Sequence, residues 1–494
     1  MTRRLRLLVR TAAAVSTVVA LSLVSVLPAG AAPSYVAISG SGSTWSQNAL
    51  DQWRRNVANN FAMTVNYSGT GSSAGRTDFI SGRVDFAVSE IPFQLTPDNP
   101  NDAPEDPSGR PYAYLPIVAG GSSFMYNLKI NGKRVTTLQL TGEVISKIFT
   151  GAITAWNDPA IQSLNPDLAL PSRPITPVVR SDGSGSTAQF TRWMATQYPS
   201  IWTYRMTSQF PTINSTFKAQ NGSLGVSGYV KQDYGEGAIT YVEYSYALNA
   251  GFPVVRVQNA AGAFVEPTAA NVQVALTHAK INTDQSSPDY LTQILDDVYN
   301  APEADAYPVS SYSYMIVPTA VGGVFTDVKG FTLGEFLKYV VCEGQNQAAT
   351  LGYSPLPMNL VQAAYDQIKR IPGASVSGFD PSTCKNSGAP ANDPGSGASG
   401  GSGDGSGGGG SAAAAGGTAA AAGAAASDPV YDANGNLVSG AAAGGAQAVS
   451  SPFTLASDAW GVPQTTMLVA GGLLVAAVIL PPLLSRRLRN DRRR

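Results

Sequence analysis

The chain has 494 residues, and its 32 lysines and arginines nearly balance its 33 aspartates and glutamates. This length can form two or three domains, and the balanced charge lacks the basic footprint of a nucleic-acid-binding protein. The sequence contains one histidine, His278, which argues against histidine-based metal sites and against most histidine-assisted catalysis. We therefore predict no metal site, no cofactor and no enzymatic activity.

The first residues are typical of an export signal. Arginines at positions 3, 4 and 6 precede an apolar run that reaches Leu27, and small residues follow at 29–31. This pattern predicts a cleavable signal peptide over residues 1–31 and a mature chain that functions outside the cell.

The part of the chain that follows the signal alternates short apolar strands with helical patterns, as a parallel α/β sheet does. Three strands run into loops rich in glycine and serine, at 39–44, 68–73 and 180–187, and a helical pattern follows each loop. A further strand at 84–88 ends at Glu90. This order of elements places polar loops at the ends of strands, where ligands bind in α/β proteins.

The C-terminal region has a different composition. Residues 386–463 consist mostly of Gly, Ala, Ser, Asp and Pro, which bury too little apolar surface to offset the entropy of ordering, and they predict a flexible linker. The apolar segment 464–485 is just long enough to form a transmembrane helix. Six arginines lie in the tail 486–494, so the positive-inside rule predicts a cytoplasmic tail and an extracellular binding domain. A partial match of residues 462–466 to a sortase signal leaves covalent attachment to the cell wall as an alternative.

The only two cysteines, Cys342 and Cys384, lie near the end of the globular region. In an exported protein such a pair is expected to form a disulfide, and two separate buried thiols are the alternative.

The three small-residue loops suit an oxyanion. Helix N-termini carry free backbone N–H groups and a partial positive charge, glycines allow the backbone to approach a ligand, and serine and threonine hydroxyls add donors. Arg180 can bind two oxygens of an anion, and Asp182 is placed to hold its guanidinium. The pattern therefore predicts an anion-binding cage that needs few full charges.

In these loops the chain resembles the phosphate-binding proteins of high-affinity phosphate importers. The similarity lies in residues 40–45, 71–75, 84–90 and 180–186, and it extends in the family's order over about residues 36–365. The resemblance implies a two-lobed α/β fold of the periplasmic-binding-protein type, or Venus flytrap, for the solute-binding domain. Its implied bounds are 32–385 for the domain, about 34–118 with 307–385 for lobe one, and about 119–306 for lobe two.

The resemblance also implies a set of ligand contacts in the cleft between the lobes. These are Thr44, Trp45, Ser72, Glu90, Arg180, Asp182, Ser184, Gly185 and Ser186. Glu90 stands where the family usually has aspartate, which accepts a hydrogen bond from the protonated oxygen of phosphate and repels fully ionised sulfate. The longer side chain places the affinity and the selectivity of the site in question.

Together these features predict a monomeric, membrane-tethered solute-binding protein that captures inorganic phosphate for the permease of an ABC transporter. The alternative is a wall-displayed protein that uses the same fold to sense phosphate or to bind a partner without transport. Ser73 fits a Gly-x-Ser-x-Gly nucleophile pattern, but a serine hydrolase needs a base and His278 lies in an ordinary helical pattern. The Pro- and Asp-rich stretch 98–110 is predicted to be a surface loop without an assigned role.

Overall fold

The computed structural model describes residues 35–384 and two short strands at 430–431 and 437–439. The predicted signal peptide 1–31, transmembrane helix 464–485 and tail 486–494 lie outside the described residues, as does most of the predicted linker. Within the described residues, no helix combines the length and the apolar character that a membrane crossing requires.

The chain alternates strands and helices through most of its described length. The strands are β1 (Ile38–Gly42), β2 (Val65–Ser68), β3 (Phe86–Ser89), β4 (Tyr112–Tyr126), β5 (Lys129–Ile130), β6 (Lys133–Arg134), β7 (Gln139–Leu140), β8 (Thr176–Arg180), β9 (Lys218–Gln220), β10 (Ala238–Glu243), β11 (Arg256–Gln258), β12 (Phe264–Val265), β13 (Lys280–Ile281), β14 (Gln293–Ile294), β15 (Ser310–Pro318), β16 (Val430–Tyr431) and β17 (Leu437–Ser439). The helices are α1 (Gln47–Phe61), α2 (Ser72–Ile80), α3 (Gly142–Phe149), α4 (Pro159–Gln162), α5 (Gly185–Gln197), α6 (Gly222–Lys231), α7 (Tyr244–Ala250), α8 (Ala269–Leu276), α9 (Asp327–Val341) and α10 (Met358–Ile368).

One long strand, β4, connects two halves of a mixed sheet with the strand order β2-β1-β3-β15-β4-β10-β8-β9. Its first part pairs with β15 as far as Gly121, and its last part pairs with β10 from Ser122 onward. The half that contains β1, β2 and β3 belongs to lobe one, and the half that contains β8, β9 and β10 belongs to lobe two. The predicted two-lobed α/β fold is confirmed, and β4 carries the chain from one lobe to the other.

Buried side chains explain why these elements pack as they do. Helix α1 buries Ala49, Leu50, Trp53 and Val57, which recur every three to four residues along one face. All of β4 after Tyr112 is buried, as expected of a central strand that is covered on both faces.

The predicted disulfide is confirmed. The bond joins Cys342, directly after α9, to Cys384, and the two Cα atoms lie 5.0 Å apart. The bond therefore joins the end of the range 35–384 to α9, a helix that packs against α1 and β1.

The stretch 98–110 is tied to both lobes. Arg76 of α2 is almost completely buried, and its Nε donates to both carboxylate oxygens of Glu105 at 3.0 and 2.8 Å. On lobe two, Arg205 donates to the carbonyl oxygen of Asp98 at 3.4 Å. The stretch is therefore anchored on lobe one by an ion pair and contacts lobe two at its first residue.

In the C-terminal unit, β16 and β17 pair with each other in antiparallel orientation. Both strands fall within the range predicted to be a linker.

Candidate functional site

The site forms where three parallel strands end at one edge of lobe one. Strand β1 lies between β2 and β3, with Ser41 opposite Ser68 and Gly42 opposite Val88, so the loops after these strands lie side by side. The loop after β8 meets them from lobe two, and the Ser73 backbone N–H donates to the Gly183 carbonyl at 3.1 Å. The two lobes are thus in direct contact across the cleft.

Glu90, which follows β3, lies at the centre of this contact with 1% of its surface exposed. Its Oε1 accepts hydrogen bonds from the hydroxyls of Ser43 at 2.5 Å and Ser313 at 2.9 Å. Its Oε2 accepts one from the hydroxyl of Ser72 at 2.8 Å. Burial raises the pKa of Glu90, and the three serine hydroxyls and the positive charge of Arg180 oppose that rise.

Gly185 brings helix α5 of lobe two directly against this carboxylate. A Cβ atom on Gly185 would lie 2.1 Å from Glu90 Oε2 and 2.7 Å from Ser72 Oγ. Glycine is therefore required here because the helix backbone approaches the opposite lobe closely.

Helix α5 presents its N-terminal end to the site. Ser184 caps the helix by accepting the Thr187 backbone N–H at 3.2 Å, so the first N–H groups, of Gly185 and Ser186, have no partner inside the helix. The Ser186 hydroxyl is buried and has no hydrogen-bond partner among the described residues. An anion at this position would receive donors that the protein itself leaves unused.

Arg180 supplies positive charge at the end of β8, and Asp182 holds it. Arg180 is 3% exposed, its Nε donates to Asp182 Oδ1 at 2.7 Å, and its Nη2 donates to Oδ2. Burial raises the pKa of Asp182, but the hydrogen bonds and charge of Arg180 outweigh it and the pKa is lowered overall. Asp182 therefore stays ionised and fixes the orientation of the arginine.

Thr44 and Trp45 take part in contacts within the protein. Thr44 Oγ1 lies 2.9 Å from the hydroxyl of Ser223 and accepts the Ser223 backbone N–H at 3.1 Å, which links the lobes. The Trp45 backbone N–H donates to Ser43 Oγ at 2.9 Å. Ser43 thus connects the backbone N–H of Trp45 to the carboxylate of Glu90 through two consecutive hydrogen bonds.

Sequence reasoning missed Ser43, Ser223, Ser313 and Gln189. Gln189 of α5 donates to the backbone carbonyl of Glu90 at 2.7 Å and so forms another contact between the lobes. Ser43 lies inside a predicted loop and could have been included, but Ser223 and Ser313 carry no recognisable motif.

Ser73 and His278, the two residues considered for hydrolysis, contact different groups. Ser73 contacts the Gly183 loop, whereas His278 pairs with Glu303 at 2.8 Å in a partly exposed position. Within the described ranges, no cluster of three or more His, Cys, Asp or Glu residues is arranged to hold a metal ion.

A family model described as a PBP superfamily domain matches residues 27–343. The "Phosphate-binding protein PstS" of Xylella fastidiosa strain Temecula1 is 31% identical over 330 residues, which are 66% of this chain and 83% of that protein. The protein of the same name from Haemophilus influenzae is 28% identical over 67% of this chain and 92% of its own length.

Solved structures share the fold. A high-affinity periplasmic phosphate-binding protein, PfluDING, bound with phosphate, aligns with a TM-score of 0.52 at 20% identity over 68% of this chain and 93% of its own. An ancestral soluble variant of the Human Phosphate Binding Protein also gives a TM-score of 0.52 at 20% identity, over 69% of this chain and 99% of its own.

Proposed function

The chain belongs to the PstS family of phosphate-binding proteins within the PBP superfamily, and we propose that it captures inorganic phosphate outside the cell for an ABC permease. The proposal rests on the sequence similarity and on the donors that converge at the cleft.

The observation that carries the proposal is the set of unused donors at the start of α5, opposite Glu90 and Ser72. A tetrahedral anion bound beside this contact would accept hydrogen bonds from the N–H groups of Gly185 and Ser186 and from the free Ser186 hydroxyl. Arg180, held by Asp182, would add a charge-assisted contact from the same lobe. A ligand that bridges α5 and the loops of lobe one would favour closure of the lobes.

Glu90 supports phosphate over sulfate. As a buried acceptor, its carboxylate can accept a hydrogen bond from the protonated oxygen of hydrogen phosphate, whereas fully ionised sulfate has no proton to donate and would be repelled by the negative charge. In this proposal Glu90 performs the role of the aspartate that the resemblance implies.

We further propose that the sequence segment 464–485 tethers the binding domain to the membrane, so that captured phosphate stays near the permease. The intervening residues 386–463 would give the domain reach toward the transporter.

Calorimetric titration of the mature chain with phosphate, and with sulfate in parallel, tests the proposed ligand. We expect tight phosphate binding and weak sulfate binding. Ser186→Ala should weaken phosphate binding roughly tenfold because one hydroxyl donor to a charged group is lost. Ser354→Ala is the matched control, because Ser354 is also buried with no hydrogen-bond partner for its hydroxyl among the described residues.

Failure of the wild-type chain to bind either anion would contradict the proposed ligand. Tight phosphate binding without any effect of the protein on cellular phosphate uptake would contradict the transport role and favour a sensing protein.

A further inference from the structure

Ser313 lies opposite Glu90 although the two residues are 223 positions apart in the chain. Strands β15 and β3 are antiparallel, with Tyr314 opposite Ser89, so Ser313 comes opposite the residue that follows β3. Ser313 is fully buried, and its hydroxyl lies 2.9 Å from Glu90 Oε1 and 3.0 Å from Ser46 Oγ.

A β-bulge marks this point of the sheet. Strand β15 pairs with β4 so that Ser313 is opposite Val118 while Tyr314 is opposite Pro116, which skips one residue of β4. Bulges re-aim side chains and are frequent next to functional sites. The irregularity therefore coincides with the serine that contacts the acidic residue of the cleft.

The two oxygens of Glu90 have different surroundings. Oε1 accepts from Ser43 and Ser313, both on lobe one, whereas Oε2 accepts from Ser72 and faces Gly185 of lobe two. Ser72 and Gly185 are predicted ligand contacts, and Ser313 is not. Ser313 therefore can influence a ligand only through the position of Glu90.

The extra methylene of glutamate makes such positioning necessary. An aspartate carboxylate would lie about one C–C bond, ~1.5 Å, closer to its own main chain. The three serine donors come from three separate segments, so a displacement of that size cannot keep all three hydrogen bonds. The positions of the three serine hydroxyls therefore suit the carboxylate of a glutamate better than that of an aspartate.

We propose that Ser313 is a positioning residue that determines ligand specificity: it holds Oε1 of Glu90, so that Oε2 alone faces the ligand and accepts a hydrogen bond from its protonated oxygen. This inference rests on the proposed capture of phosphate. The Ser313–Glu90 hydrogen bond helps glutamate to serve where aspartate is usual. Without it, only Ser43 and Ser72 hold the carboxylate, which is then oriented less firmly and discriminates less well between protonated and fully ionised oxyanions.

The test is a double-mutant cycle on the mature full-length chain, with the ratio of phosphate to sulfate affinity as its readout. Ser313→Ala should lower that ratio roughly tenfold, the effect expected from one hydrogen bond to a charged group. In a Glu90→Asp background the same substitution should change the ratio less than about twofold, because the shorter carboxylate no longer depends on Ser313. Ser311→Ala is the matched control, since Ser311 is buried on the same strand and its hydroxyl has no hydrogen-bond partner in the described part of the chain.

The inference would be overturned if Ser313→Ala had equal effects in the wild-type and Glu90→Asp backgrounds. It would also be overturned if the ratio of phosphate to sulfate affinity were the same for Ser313→Ala as for Ser311→Ala. Neither outcome would contradict phosphate capture. Ser313→Thr keeps the hydroxyl, and it should retain the selectivity. A loss as large as that of the alanine variant would also overturn the inference. A wild-type chain that binds neither anion would instead overturn the proposed function on which the inference rests.

Discussion

Replacement of Gly185 by alanine tests whether α5 and Glu90 meet in the closed, ligand-bound protein. The new Cβ atom would lie 2.1 Å from Glu90 Oε2, where ordinary contacts exceed 3.4 Å, so the two lobes would have to separate by about 1 Å or more. The Ser73–Gly183 backbone contact at 3.1 Å would be lost, and ligand contacts that bridge the lobes would lengthen.

The expected magnitude follows from those contacts. Hydrogen bonds to a charged ligand contribute about 1.5–3 kcal/mol each, so the loss of two of them costs about 3 kcal/mol or more. At 1.4 kcal/mol per factor of ten, the Kd for phosphate should rise roughly a hundredfold. Loss of the neutral Ser73–Gly183 hydrogen bond should lower the free energy of unfolding by only about 1 kcal/mol, much less than the loss of binding free energy.

Calorimetric titration with phosphate and denaturant unfolding of the same preparation separate the two effects. Gly228→Ala in α6 is the matched control, because a Cβ atom there meets no atom within 4 Å. Phosphate binding by Gly185→Ala within about threefold of the wild type would refute the proposed contact between the lobes in the bound state.

Three further predictions concern stability. Replacement of Cys342 and Cys384 by serine should lower the free energy of unfolding by about 4 kcal/mol, because the bond closes a loop between residues 42 apart. Burial raises the pKa of Glu243 well above its ordinary value, so the wild type loses stability as the pH rises from the ordinary pKa of a glutamate through the raised one, and Glu243→Gln should gain in Tm relative to the wild type over that interval. Glu105→Ala should lower the free energy of unfolding by about 3 kcal/mol because it leaves the buried Arg76 without its carboxylate partner.

Denaturant unfolding measures the first and third effects, and thermal unfolding as a function of pH measures the second. An unchanged unfolding midpoint without the disulfide, or a constant difference in Tm between Glu243→Gln and the wild type across the pH range, would contradict the respective argument. For Glu105, the exposed neighbour Asp106 provides the control: Asp106→Ala should stay within about 0.5 kcal/mol of the wild type, and an equal effect of both variants would contradict the role of the ion pair.

The local features of the site could be read from the sequence because each lies within a few residues of a strand end. Arg180, Asp182 and the glycine-rich turn before α5 are neighbours in the chain, and their contacts follow from the geometry of a loop before a helix. The start of α5 is harder to predict from the sequence. Its first turn, Gly185 to Thr187, lacks apolar residues, so the periodic apolar pattern begins only at Ala188.

Contacts between distant segments could not be read in the same way. Ser223 meets Thr44 from 179 residues away, and Ser313 meets Glu90 through a strand register that only the folded sheet determines. The pairing of Arg76 with Glu105 likewise depends on how a loop folds back over α2. The identities of the ligand-contacting residues stay predictions until binding is measured.

The disulfide also determines where mechanical force enters the protein. The chain continues from Cys384 to Arg494, and a pull on that continuation is transmitted through the covalent bond to Cys342 at the end of α9. Phe336 and the neighbouring side chains of α9 are buried against the core of lobe one, so the force is distributed over that lobe. The residues between the two cysteines are bypassed by the covalent bond and cannot be unfolded one after another from the C-terminal side. A pull on the C-terminal continuation would therefore act on lobe one as a whole.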